Sequence, residues 1–499
     1  MNLNRRSAGI LLHPTSLPGD FGIGELGEEA YRFVDWLARA KQSIWQILPL
    51  GPTGYADSPY AAFSAFAGNP LLISVERLLQ EGLLHEEEVT PLTALPTERV
   101  DYGALIPLKM ALLRRAYERW KERAGEAERQ QLQAFRKEHA SWLEDFAFFM
   151  ALKGVHDSRA WVEWEPDLAL RQPDALRRAQ QELADDIQFH VFLQFLFVRQ
   201  WLALKRYANE QGVQILGDMP IFVAHDSADV WAHPEMFHLD RRGNPTFVAG
   251  VPPDYFSPTG QRWGNPLYRW EVMRRDGYRW WTERFRWTLQ LVDLVRVDHF
   301  RGFAAYWRVP ASEPTAVNGR WVRAPGRELF RVLQHELEAL PVVAEDLGII
   351  TPDVVRLRKS FGFPGMKVLQ FAFDGNPDNP YLPYNYEPDS VVYTGTHDND
   401  TTVGWFSDLG DAERERVCEY IGRCRDSVVQ EIIRLAYASV ARMAVIPLQD
   451  WLGLGTEARM NVPGTTEGNW QWRCQREHLS RELAEHIARM CRTYGRYPS

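Results

Sequence analysis

The stretch Leu294-Val295-Arg296-Val297-Asp298 decides the fold, because it is a short β-branched run that ends on a charged residue. Seven other short apolar runs recur along the chain, and a polar or glycine-rich loop follows each of them at once. Amphipathic helical patterns separate the runs wherever the spacing is short. Alternation of strand and helix predicts a parallel sheet. The eight predicted strands are 9–13, 44–49, 214–218, 294–298, 342–345, 367–371, 391–396 and 444–447.

Eight strand–helix units predict an α/β fold, a (β/α)₈ TIM barrel, in which chemistry lies at the carboxyl ends of the strands. A doubly wound sheet is the competing interpretation of the same alternation.

Two gaps between predicted strands are too long for simple crossovers. Residues 77–201, after strand two, are rich in Leu, Ala, Glu, Arg and Gln with apolar residues at helical spacing, which predicts a helical insertion subdomain. After strand three, a Pro-, Gly- and aromatic-rich stretch around 225–275 predicts a structured loop over the strand ends. We therefore expect a barrel start at 1–76, the insertion at 77–201 and the rest of the barrel at 202–499. The roughly 50 residues after strand eight leave no room for a C-terminal β-sandwich domain.

Composition excludes several classes of partner. The 499 residues carry 57 Lys and Arg against 66 Asp and Glu, a formal charge of −9, without a basic run. This composition argues against nucleic acid and anionic membranes as partners.

The apolar run near the N-terminus ends at His13 and Pro14 and is too short for a signal peptide. Four cysteines without a C-x-x-C pair are typical of reduced thiols, so we expect a cytoplasmic protein. No metal-ligand spacing stands out among the histidines.

Carboxylates follow three of the predicted strands. Asp298 closes the fourth strand, Glu345 closes the fifth, and Asp398 follows the seventh. A single acid at a strand end often caps the next helix. Acids at the ends of three different strands, with Arg296 on the same strand face as Asp298 and His397 beside Asp398, favour a common site at one barrel mouth.

Such a cluster suits glycosidic-bond chemistry, in which one carboxylate attacks the anomeric carbon and another donates a proton to the leaving oxygen. Two carboxylates about 5 Å apart repel by roughly 3 kcal/mol at an effective dielectric near 20, which lifts the pKa of the weaker acid to about 6–7. We expect Arg296 to keep Asp298 ionised as the nucleophile and Glu345 to hold the proton. Many Trp, Tyr and Phe residues near strand ends add flat apolar faces on which sugars stack.

At these residues the sequence resembles the 4-α-glucanotransferases (amylomaltases or disproportionating enzymes) of glycoside hydrolase family 77 in the α-amylase clan. The resemblance covers nearly the whole chain in long, family-specific strings. Among these are GILLHPTSLP, WQILPLGPTGYADSPY, GDMPIFVA, DYFSPTGQRWGNPLY, RVDHFRGF, AEDLG, YTGTHDNDTT and EARMNVPG.

The resemblance implies a retaining transfer of α-1,4-glucan segments between maltooligosaccharides, starch or glycogen, with glucose as an acceptor and no metal or organic cofactor. It implies Asp298 as nucleophile, Glu345 as acid/base and Asp398 as the third carboxylate. The remaining implied substrate-binding residues are Arg296, His397, Asp218, Tyr60, Trp263, Asn265, Tyr255 and Phe256. We expect a monomer or weak homo-oligomer, and an α-1,4-glucan hydrolase of the same clan is the alternative activity.

Overall fold

The computed structural model describes residues 6–253, 257–422 and 428–497. Its strands are β1 (Ser7–Leu11), β2 (Ile44–Gln46), β3 (Gln214–Met219), β4 (Phe247–Val251), β5 (Gln261–Pro266), β6 (Leu294–Val297), β7 (Ala305–Pro310), β8 (Arg320–Arg323), β9 (Val342–Ala344), β10 (Gly365–Val368), β11 (Ser390–Tyr393) and β12 (Met443–Pro447).

The α-helices alternate with or lie between these strands. They are α1 (Glu28–Arg39), α2 (Val75–Gln80), α3 (Glu86–Thr93), α4 (Tyr102–Arg123), α5 (Glu126–Glu138), α6 (Ala140–Val155), α7 (Pro166–Ala169), α8 (Pro173–Glu182), α9 (Ala184–Glu210), α10 (Ala228–Ala232), α11 (Trp270–Arg275), α12 (Arg279–Leu291), α13 (Gly326–Glu336), α14 (Pro352–Ser360), α15 (Thr402–Asp408), α16 (Asp411–Ile421), α17 (Val428–Ala438), α18 (Leu448–Trp451) and α19 (Arg481–Thr493).

Eight parallel strands close into a barrel in the order β1-β12-β11-β10-β9-β6-β3-β2. Closure confirms the predicted (β/α)₈ barrel and excludes the doubly wound sheet, which has two edges. The strands are buried along nearly their whole length because helices cover them outside and side chains fill the interior. The sixth predicted strand, 367–371, is displaced: β10 ends at Val368, and Leu369–Phe371 forms a 3₁₀ turn.

Helices α2–α9 all lie between β2 and β3. α9 runs unbroken through position 201, and the three segment boundaries stay a prediction. By length and composition α9 could span a membrane, yet 67% of its apolar window is buried inside the protein, as in a core helix. Lys109 on α4 forms an ion pair with Glu25 in which both side chains are buried, and this pair joins the insertion to the barrel.

The loops above the barrel carry a feature that the sequence pattern does not predict. Strands β5-β4-β7-β8 form a separate antiparallel sheet, so part of the predicted loop around 225–275 is β-structure. Its strands come from the connections after β3 and after β6, which places the sheet beside the carboxyl ends of both strands.

Cysteine chemistry differs in part from the expectation. Cys474 and Cys491 are free and buried, whereas Cys418 is disulfide-bonded, and the prediction of reduced thiols is wrong for this residue. The absence of a C-x-x-C pair does not exclude pairing over a longer loop. Cys424 lies outside the described residues.

Candidate active site

Arg296 lies between two carboxylates at the end of β6. Its Nη1 donates to Asp218 Oδ2 at 2.6 Å and lies 3.0 Å from Asp298 Oδ1. The Arg296 side chain is 4% exposed and that of Asp218 is fully buried. Burial disfavours the positive charge of Arg296, but the negative charges of Asp218 and, second, Asp298 outweigh this effect. They raise the pKa of Arg296 well above its usual value. The guanidinium is therefore a fixed cation that holds Asp298 in place.

Glu345 follows β9 and is buried next to Asp298. Burial first, and the Asp298 charge second, raise the pKa of Glu345 to about 7, while Arg296 and two backbone N–H groups oppose this rise. Those donors are His299 N, 2.7 Å from Oε2, and Leu347 N, 2.9 Å from Oε1. The sequence predicts charge repulsion as the cause of the raised pKa of Glu345, but loss of hydration contributes more.

Backbone geometry after β6 brings one of these donors to Glu345. His299 has φ of +48°, in the left-handed region that a non-glycine residue seldom adopts. This turn directs the His299 N–H to the carboxylate of Glu345. Such strain is stored most often at functional sites. Burial lowers the pKa of the His299 imidazole to about 4, so the ring is neutral at physiological pH.

Asp398 lies in the loop after β11, on the same side of the barrel. Its side chain is 47% exposed, and His397 Nε2 lies 3.4 Å from its Oδ1. Oδ1 also accepts a 2.7 Å hydrogen bond from Asn461 Nδ2. The charges of Asp298 and Asp398 both act on the Tyr60 hydroxyl, so the carboxylates surround one site.

Aromatic side chains pack together beside these acids. Tyr60 stacks on His397 with ring centroids 5.1 Å apart at 15°, and Trp470 lies within 6.0 Å of both rings. The Tyr60 hydroxyl donates to Asp218 Oδ2 at 2.7 Å, and burial raises the pKa of Tyr60 well above its usual range. Asp218 Oδ1 is buried without a partner among the described residues. The site thus combines a flat ring, a buried acceptor without a partner among the described residues, and three carboxylates.

The other predicted substrate-binding residues fall into three groups. Trp263 on β5 is 38% exposed and meets the His299 ring edge-to-face at 4.8 Å. Asn265 donates its amide to Val223 O at 2.9 Å, which fastens β5 to the loop after β3. Tyr255 and Phe256 lie outside the described residues.

Two neighbours of Asp398 were not predicted from the sequence. Asn461 and Arg459 both contact Asp398, and both belong to the EARMNVPG string, which the sequence analysis used only as a family marker. Nothing in their spacing indicates this contact, because 63 residues separate Asn461 from Asp398. Within the described ranges, no group of three or more His, Cys, Asp or Glu side chains is arranged to hold a metal ion.

Comparison with known proteins gives consistent matches over the whole chain. The family model described as 4-alpha-glucanotransferase, glycoside hydrolase family 77, matches residues 12–479. A 4-alpha-glucanotransferase from Thermus thermophilus is 54% identical over 97% of both chains, and one from Synechocystis sp. is 51% identical over 99% of both. The solved structure of an amylomaltase from Streptococcus agalactiae in complex with acarbose superposes with a TM-score of 0.96 at 39% identity, covering 99% of this chain and 100% of that one.

Proposed function

Because the chain belongs to the 4-α-glucanotransferases of glycoside hydrolase family 77, we propose that Asp298, Glu345 and Asp398 carry out a retaining transfer of α-1,4-glucan segments. The single observation that supports these roles best is the pairing of a buried Glu345, its pKa near 7, with an Asp298 held by Arg296. One carboxyl can then keep a proton while the other stays ionised.

In the first half-reaction, an Asp298 carboxylate oxygen attacks the anomeric carbon. The bond from that carbon to the leaving oxygen breaks, and Glu345 gives its proton to this oxygen. The products are a free sugar 4-hydroxyl, which departs, and a glycosyl ester on Asp298. In the second half-reaction, Glu345 takes the proton of an acceptor 4-hydroxyl as that oxygen attacks the anomeric carbon and releases Asp298.

Asp398 acts on the sugar ring rather than on the breaking bond. Positive charge develops at the anomeric centre in the transition state, and a carboxylate beside the ring stabilises it. His397, in ring contact with Tyr60, adds a polar edge, and the Tyr60 face supplies an apolar platform for the glucose in this position. The Asp218 Oδ1 atom is buried and has no hydrogen-bond partner among the described residues, so it is an acceptor that a bound sugar hydroxyl would satisfy.

Transfer exceeds hydrolysis when the site holds an acceptor sugar better than water. Water is about 55 M, but orienting a bound reactant is worth up to roughly 7–11 kcal/mol, which is ample. Trp263 packs on His299, next to Asp298, and is 38% exposed, so its ring can bind an acceptor glucose near the ester. We extend the proposal to glucose as an acceptor and to a role in starch, glycogen or maltose metabolism.

Incubation with maltotriose tests the activity directly. A transferase gives glucose and a ladder of longer chains, whereas the hydrolase alternative gives only shorter products. Asp298→Asn should lower turnover by several orders of magnitude because the nucleophile is lost. Asp408→Asn, a change on the exposed end of α15, is the matched control and should keep full activity. Unchanged turnover in Asp298→Asn would overturn the assignment of the nucleophile.

A further inference from the structure

A segment after β12, residues 456–470, reaches across the barrel mouth to Asp398. Asn461 Nδ2 donates to Asp398 Oδ1 at 2.7 Å, and Arg459 Nη2 donates to the Asp398 carbonyl at 2.8 Å. Arg459 Nε also donates to Asn461 O at 2.8 Å. The Arg459 guanidinium therefore fixes the backbones of Asp398 and Asn461 relative to each other. The Asn461 amide fixes the carboxylate of Asp398 itself.

The 456–470 segment is tied down on both sides of Asn461. On one side, Thr456 Oγ1 donates to Asp400 Oδ2 at 2.9 Å, which joins the segment to the loop that carries Asp398. On the other side, Trp470 N donates to Met460 O at 2.7 Å and Val462 N donates to Asn469 Oδ1 at 2.9 Å. A mobile amide could not orient a carboxylate, whereas this one is restrained by its own backbone.

The two oxygens of Asp398 have different surroundings. Oδ1 receives the Asn461 amide and lies beside His397 Nε2. The described residues place no hydrogen-bond donor on Oδ2, and the side chain is half-exposed. One oxygen thus faces the protein and the other stays available to a sugar.

A neutral amide is the suitable donor for this task. It fixes the direction of the carboxylate and leaves the full negative charge in place, whereas a lysine or arginine at the same position would neutralise that charge. The charge must survive because it faces the positive anomeric centre of the transition state.

We infer that Asn461 is a positioning residue that directs Oδ2 of Asp398 toward the sugar ring. Arg459 holds the 456–470 segment and the loop after β11 in a fixed relative position for this purpose. This inference rests on the proposed role of Asp398. Asn461 acts through Asp398 and has no reacting atom of its own.

The test compares Asn461→Ala and Asn461→Asp with wild type in the maltotriose assay over pH 4.5–8.5. Loss of the amide should lower kcat about 10- to 100-fold, since small errors in position are that costly, while KM changes less than about threefold because the sugar platform remains. Asn318→Asp is the matched control: Asn318 donates to Glu313 at the same 2.7 Å, but on the exposed surface, and its loss should leave kcat unchanged.

Asn461→Asp adds a readout that a merely structural role would not give. This change keeps the side-chain volume but places a second carboxylate against Asp398, with His397, Tyr60 and Arg459 as the neighbouring titratable groups. At acid pH the two carboxyls can share a proton, which restores the lost hydrogen bond, and at alkaline pH they repel. The ratio of variant to wild-type kcat should therefore rise at least about tenfold from pH 8.5 to pH 5.

A ratio that stays constant with pH, or a loss confined to KM, would overturn the inference. If Asn461→Ala does not fold, the Asn461→Asp profile decides the question by itself. The Asp398→Asn variant distinguishes failure of the proposed function from failure of the inference about Asn461. If this variant keeps wild-type turnover, the proposed role of Asp398 and the inference both fail. If it is inactive while both Asn461 variants match Asn318→Asp, the inference alone fails.

Discussion

The buried acid Glu345 makes a quantitative prediction about stability. Burial and the Asp298 charge raise the pKa of Glu345 from 4.5 to about 7 in the folded protein. The folded state therefore binds more protons than the unfolded state between these values, and stability must fall as pH rises. At 1.36 kcal/mol per pH unit, Glu345 contributes roughly 3 kcal/mol to the free energy of unfolding. This stabilising contribution is present in full below pH 4.5 and is lost above about pH 7.

Glu345→Gln removes this titration and keeps the shape of the side chain. The free energy of unfolding would be measured by urea titration with tryptophan fluorescence at pH 4.5 and pH 8.5, for the variant and for wild type. Relative to wild type, the variant should gain roughly 3 kcal/mol between the two pH values. Glu182→Gln, on the exposed end of α8, serves as the control and should show no such gain. Parallel pH dependence of wild type and Glu345→Gln would refute the reasoning.

Three further predictions concern the pH profile and the core. The kcat/KM for maltotriose should decline as pH rises through about 7, because in the proposed mechanism Glu345 must be protonated to donate to the leaving oxygen; an alkaline limb far above 7 in a pH–rate profile would contradict this. Lys109→Met should cost about 3–5 kcal/mol in urea unfolding, since it leaves Glu25 buried without its ion-pair partner, and adding Glu25→Gln should recover most of that loss. Gly68→Ala should lower the melting temperature in calorimetry, because the new Cβ would lie 2.0 Å from the Phe197 ring; an unchanged melting temperature would show that the ring can move aside.

Local pattern was sufficient for the barrel, because each β-branched run that ends on a polar loop carries its own signal. The run that contains Lys367 illustrates the limit of this method. Its apolar residues extend to Phe371, but the strand ends at Val368 and a 3₁₀ turn follows. Leu369 in this turn is as buried as the residues of the strand, so apolar character alone does not locate the end of β10. The small antiparallel sheet was missed for a related reason, since its strands are short and lie among Pro and Gly residues.

The acids of the site were identifiable because the carboxyl ends of parallel strands share one mouth, so position along the chain implies position in space. The residues that orient them were not identifiable in this way. His299 contributes its backbone N–H to Glu345 through a left-handed turn, and no side-chain pattern encodes that contact.

The sequence by itself determined the barrel and the family, and it predicted the three carboxylates Asp298, Glu345 and Asp398, because each of these inferences depends on residues that are close in the chain. Only the tertiary structure decided the degree to which Glu345 loses its hydration and which oxygen of Asp398 meets Asn461. Those properties arise from contacts between distant segments once the barrel closes, and they depend on distances that no local pattern of residues records.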